Sequence, residues 1–262
     1  MSDDVVRRIA DAVLYEGHML FPYRLSALKN RQRWTFGGVY PAAYAHTTGD
    51  RSRVAFECLV EGRAPHVDVQ VRFLQIVRRD DRDDAVERSA SVGTIERGPL
   101  RARVGARTEE VRDGLHRLSA SIENTSDWSG SDRDEALRHT LASAHALARV
   151  DGGSFVSPRE SSDELRNEGL WPVLVGEPGD RSTILASPII LDDYPRVAPE
   201  SPGDFFDGGE IDQLLVLNIL GLTDAEKEEV RAGDPRAREV LERTEAMTED
   251  DLLRLHGTWR RP

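Results

Sequence analysis

Hydrophobic and polar residues change period several times along this chain of 262 residues, and each change marks a different element. Between Asp3 and Leu20, the residues Val6, Ile9, Ala10, Val13 and Leu20 recur near helical spacing. Ser2 or Asp3 can cap that helix, and acids occupy its first turn. Pro22 closes it, because a proline pushes the residue before it out of helical geometry. Phe21 to Pro41 reads as an aromatic segment, partly helical from Ser26 and extended around Trp34-Thr-Phe36. Gly37-Gly38 marks a turn or a close backbone approach.

The period then becomes two. Val54–Val60 alternates, and His66–Phe73 places Val67, Val69, Val71 and Phe73 on one face. Leu74 breaks that alternation as a bulge would. Weaker strands lie between Ala85 and Val111, interrupted at Gly98-Pro99, and Leu115–Asn124 turns Leu118, Ala120 and Ile122 to one side. Asp134–Val150 reads as a helix capped by Ser131 or Asp132, with Leu137, Leu141, Ala144, Leu147 and Ala148 in line. Leu170–Val175 is an edge strand, since Pro172 has no N–H to give a ladder. Ser182–Leu191 is a further strand.

Asp192–Gly209 carries Pro195, Pro199 and Pro202 and predicts an extended surface loop, placed to meet the aromatic segment. Helices follow from Glu210 to about Leu220, after the capping box Thr223–Glu226, from Asp234-Pro235 to Thr244, and over Thr248–His256. The elements together predict an α+β fold in a single domain spanning 1–262. An N-terminal helix and aromatic basic segment (1–50) precede a central antiparallel β-sandwich-like core with one long helix (51–191). A proline-rich loop and acidic helices (192–262) complete it.

Composition narrows the function classes. A net charge of −12 opposes general nucleic-acid binding, where neutralised phosphates supply most of the affinity. No window approaches the roughly 18–20 apolar residues of a membrane span. Acids stand where a signal peptide carries positive charge, so the expected compartment is the cytoplasm. Cys58 is the sole cysteine, which excludes an internal disulfide and any multi-cysteine zinc or iron–sulfur site within this chain. No phosphate-binding glycine loop or nucleophile elbow is present. His139 and His145, six residues apart, would lie out of register on one helix. No cofactor or metal is expected, and the sequence leans away from an enzyme.

Against this acidic background, Tyr15–Tyr44 holds four of the five tyrosines, and no acid occurs between Gly17 and Thr48. Arg24, Lys29, Arg31 and Arg33 make the segment basic. It admits three readings: a core whose arginines reach outward, a docking surface rich in hot-spot residues, and a small-molecule pocket. Candidate partner- or ligand-binding residues are Glu16, Tyr23, Arg24, Lys29, Asn30, Arg31, Arg33 and Trp34. On the proline-rich loop, Asp192, Asp193, Tyr194, Asp204 and Asp207 are further candidates. Together with Glu210 and Asp212, these acids would suit a hard cation in a metal-assisted hydrolase or transferase, or else helix capping and solvation. From Asp192 to Asp251, eighteen acids face six basic residues. They could partner the basic segment within the molecule or across an interface.

Leu14–Arg24 (LYEGHMLFPYR) with Ala27–Trp34, and Ser187–Val197 (SPIILDDYPRV) running into Pro199–Asp207, resemble an uncharacterised bacterial family. Its members are encoded in gene clusters for uptake nickel–iron (NiFe) hydrogenases of actinobacteria and related groups. The resemblance covers most of the chain and brings no catalytic residues. It implies a non-enzymatic accessory or assembly role, with a hydrogenase subunit or maturation factor as protein partner.

Overall fold

The computed structural model describes residues 2–34, 36–80, 82–161, 163–196, 205–206, 212–248 and 250–251. The chain divides into two compact units. One comprises Met1–Leu14 and Thr35–Arg196, the other Tyr15–Trp34 and Val197–Pro262.

The first unit is built on two five-stranded antiparallel sheets. Its strands are β1 (Arg53–Glu61), β2 (His66–Arg79), β3 (Arg82–Ser91), β4 (Gly93–Arg97), β5 (Leu100–Arg112), β6 (Leu115–Asn124), β7 (Ala142–Asp151), β8 (Ser154–Phe155), β9 (Trp171–Leu174) and β10 (Thr183–Ser187). One sheet has the order β4-β5-β6-β1-β8 and the other β3-β2-β7-β10-β9. Alternation dictates the packing. Phe56 and Cys58 of β1, Val69 and Phe73 of β2, and Leu118 and Ile122 of β6 enter one shared core. Each such side chain contributes about 1.5–3 kcal/mol when fully buried. The predicted bulge is present: the register of β2 against β7 shifts between Arg72 and Leu74. Pro172 sits on β9, an edge strand.

α1 (Ser2–Tyr15) covers the outer face of the second sheet, packing Val6, Ile9, Ala10 and Val13 on Leu147, Val173, Val175 and Leu185. It ends earlier than the Leu20 expected. A short helix α2 (Ala42–Thr48) was not expected from the pattern. The helix predicted over Asp134–Val150 is corrected. Only α3 (Arg133–Arg138) is helical, capped by Asp132, and the remainder is the central strand β7. Ala144, Ala146, Ala148 and Val150 line the sandwich core, while Leu147 lies under α1. A strand buried on both faces shows no polar alternation. Its alanines and leucines favour helix locally, and burial between two layers overrides that preference.

In the second unit, a 3₁₀ turn (Leu28–Gln32) lies within the aromatic segment, and the helices are α4 (Asp212–Leu220), α5 (Asp224–Ala232) and α6 (Pro235–Glu245). Thr223 and Glu226 form the predicted capping box on α5, and Asp234 caps α6 with Pro235 at its first position. Most of the helix predicted over Thr248–His256 lies outside the described residues.

Candidate functional site

The segment Tyr15–Trp34 has little regular structure of its own, so its backbone needs other partners. Asn30 supplies several: its amide nitrogen donates to the carbonyls of Leu20 (2.8 Å) and Arg24 (3.0 Å), and its oxygen accepts the N–H of Leu20 at 2.8 Å. Tyr23 is buried and donates its hydroxyl to the carbonyl of Phe205. The N–H of Gly17 reaches the carbonyl of Phe206 at 2.8 Å. The Phe206 ring packs edge-on against His18 at 5.6 Å and tilted against Tyr15 at 6.1 Å. The phenylalanines of the proline-rich segment therefore do meet the aromatic segment, as expected.

The basic residues find their partners on the acidic helices of the same unit. Arg24 pairs with Glu226 (3.2 Å) and Glu229 (3.5 Å), and Glu229 also accepts the N–H of Ser26. Arg33 pairs with Asp234 at 3.4 Å while lying 4.0 Å over the ring of Trp34. Arg236 lies over the Tyr15 ring at 3.5 Å and donates to its hydroxyl. Asp234 thus does two jobs, capping α6 with one oxygen and meeting Arg33 and His18 with the other. Burial alone would raise its pKa. The hydrogen bond from His18, the Arg236 N–H and the Arg33 guanidinium outweigh burial and hold it at about 2.

His18 and Asp234, 3.2 Å apart, have the outline of an acid–base pair. The indole N–H of Trp34 donates to Nδ1 of the same imidazole at 3.4 Å, which assigns the proton to Nε2 facing Asp234. Both ring nitrogens are then occupied by buried protein groups. The arrangement is a structural lock, with no lone pair left to take a proton from a substrate.

Backbone strain concentrates in the two most distinctive segments. Six described residues other than glycine have positive φ, and four of them are aromatic: Tyr23, Trp34, Tyr194 and Phe206. Such conformations cost on the order of 1–2 kcal/mol each and persist where surrounding contacts over-determine them. At Tyr23 and Phe206 those contacts are the Tyr23 hydroxyl bond and the ring cluster just described.

The remaining sequence candidates fall in different places. Glu16 is half-buried just after α1, Lys29 is exposed and Tyr23 is buried. The side chain of Arg31 lies outside the described residues, as do Asp204, Asp207 and Glu210. Asp192, Asp193 and Tyr194 belong to the first unit. Asp192 pairs with Arg159, and Asp193 accepts from Ser157 and from the N–H of Leu174. Tyr194 packs on the sandwich core. The described acids of the loop therefore fasten it down, and among the described residues no three His, Cys, Asp or Glu side chains are grouped as metal ligands.

One further feature lies outside the residues that the sequence pattern singles out. α4 is apolar around most of its circumference: Leu215, Val216 and Ile219 are buried, and the helix packs on α6. Leu214 and Leu217, one turn apart, remain 48% and 50% exposed. The run Leu214-Leu-Val-Leu217 carried the signal, because a helix apolar on all sides needs cover on all sides. No protein-family model matches the chain, and no curated protein is similar to it.

Proposed function

We propose that this protein is a non-enzymatic accessory or assembly protein that docks a protein partner through the uncovered side of α4. The family resemblance makes that partner a nickel–iron hydrogenase subunit or maturation factor. The observation that supports this reading is the adjacent exposure of Leu214 and Leu217 on one helix; the other exposed leucines described in this unit, Leu25 and Leu28, lie in the aromatic segment. Contiguous exposed apolar surface, as distinct from single scattered residues, marks interaction sites. Asp224, Glu239 and Glu242 are exposed on α5 and α6, so a partner that also reaches these helices would meet mainly carboxylates. Arg24 and Arg33 contribute to the unit's integrity, since both are engaged by its own carboxylates.

The test is affinity purification of the tagged protein from its native host at low salt, followed by direct binding to the identified partner. The wild-type protein should enrich a hydrogenase subunit or maturation factor, and the L214E/L217E variant should not while keeping the wild-type circular dichroism. Equal capture of that partner by both proteins would overturn the assignment of α4.

A further inference from the structure

On the outer face of the first sheet, side chains pointing away from the core form rows across the strands. The register aligns Ala55 of β1 with Ser121 of β6 and Ser121 with Gly105 of β5. The next row is Glu57, Ser119 and Arg107. Because the first row holds nothing larger than serine, the surface sinks into a cleft of about 720 Å³. That volume lies within the roughly 300–1,000 Å³ of small-molecule sites. Arg166–Glu168 walls one side. This wall is pinned to β1: Glu168 and Ala55 exchange backbone hydrogen bonds at 2.8 Å, Asn167 accepts the N–H of Glu57, and the Glu57 carboxylate accepts the N–H of Arg166.

Gly105 is the first sign that the cleft is built for an occupant. Glycine weakens a strand, and in strand interiors it marks a bulge, a sharp bend, or a place where a ligand or another backbone comes close. Pairing of β5 with β6 is unbroken through Gly105, which excludes a bulge. Its φ is not left-handed, and an added Cβ would meet only the hydroxyl of Ser121, at 3.3 Å. No backbone approaches it. What the missing side chain leaves is an open floor.

The polar groups around that floor give the second sign. Glu168 is paired with Arg53 at 3.1 Å, and the two oxygens of Glu57 accept from Ser119 and from the Arg166 N–H. The acids are satisfied. The Arg166 guanidinium and the Ser121 hydroxyl have no partner among the described residues, and Arg107 meets only exposed Glu109, a pairing of little energetic consequence. Unused capacity in the cleft is thus mainly that of donors, on a chain whose net charge is −12.

We propose that the cleft across β5, β6 and β1 binds a small organic anion, a carboxylate or phosphate ester, whose charged group meets Arg166 and Arg107 above the floor at Gly105. Charge-assisted hydrogen bonds from the two guanidinium groups would orient the anion, and the bare strand surface would receive its body.

Amide chemical shifts of isotope-labelled protein, titrated with succinate, with glycerol phosphate and with sodium chloride at matched ionic strength, test this. Saturable shifts confined to β1, β5, β6 and Arg166–Glu168 are expected with at least one organic anion and not with chloride. The responding anion identifies the headgroup. Arg166→Ala should weaken binding by about fivefold or more, as loss of a charge-assisted contact does. Gly105→Val should abolish binding while the protein stays folded, because a β-branched residue suits a strand. Shifts that track chloride, fail to saturate, or persist undiminished in both variants would overturn the proposal.

Discussion

The hydroxyl of Tyr23 donates to the backbone carbonyl of Phe205 at 2.8 Å, joining positions 182 residues apart in the sequence. Both groups are buried, so neither can turn to water when the other is removed. Tyr23→Phe should cost about 1–3 kcal/mol, the desolvation penalty of an orphaned carbonyl. Hydrogen exchange should report faster opening of Tyr15–Trp34 and α6, with the strands of the first unit unchanged. Wild-type protection in Tyr15–Trp34 would count against this role.

Reversing the charge at Arg33 differs from reversing it at Arg24. Arg33 and Asp234 are 13% and 12% exposed at their side chains, so Arg33→Glu forces two carboxylates together in a nearly dry site. A destabilisation on the order of 3 kcal/mol follows from breaking a buried pair. Arg24 and its two glutamates are more exposed, and Arg24→Glu should cost about 1 kcal/mol or less. Chemical denaturation of the two variants checks the order, and the second change Asp234→Arg should partly rescue Arg33→Glu.

His145 lies in β7, fully buried, with Nδ1 3.0 Å from the carbonyl of Ser143 and Nε2 without a partner among the described residues. Burial, aided by the charge of Arg72, pushes its pKa down from 6.5 to about 4. The folded state therefore favours the neutral ring. The contribution is fully present above about pH 6.5 and is lost as pH falls to about 4, an effect of about 3 kcal/mol. Asp234, depressed from 3.8 to about 2, adds a loss that begins only below about pH 4. Stability measured from pH 7 to pH 4 should slope in the wild type and flatten in His145→Leu. An unchanged slope would assign the acid sensitivity elsewhere.

Cys58 is completely buried between the sheets, and its thiol is held in the neutral form by that burial and by the charge of Glu57. Thiol reagents should therefore label the native protein only at the rate of global unfolding, and label it at once in denaturant. Rapid labelling under native conditions would contradict the placement of this strand.

The parts of the fold legible in the sequence share a short range. Alternation in Val54–Val60, the bulge at Leu74, the Thr223–Glu226 box and the Asp234-Pro235 start each depend on residues a few positions apart. β7 was not legible, because the groups that cover its two faces, the facing sheet and α1, come mostly from distant parts of the sequence. Their burial of both faces erased the polar half of its pattern. The second unit was legible only in fragments. An aromatic basic segment and a set of acidic helices stood out, but the sequence left open whether they paired with each other or with another molecule.

By itself, the sequence determined the α+β class, the strand-rich middle, the helix caps and the exclusion of an internal disulfide or multi-cysteine site, since composition and local spacing suffice for these. Tertiary structure alone decided that Asp234 takes Arg33 and His18 as partners besides capping a helix, that Arg24 is engaged by Glu226 and Glu229, and that Leu214 and Leu217 of α4 stay about half exposed. The physical reason is desolvation. What a charged or apolar side chain does depends on which distant groups exclude water from it, and that is set by packing between segments about two hundred positions apart rather than by the residues beside it.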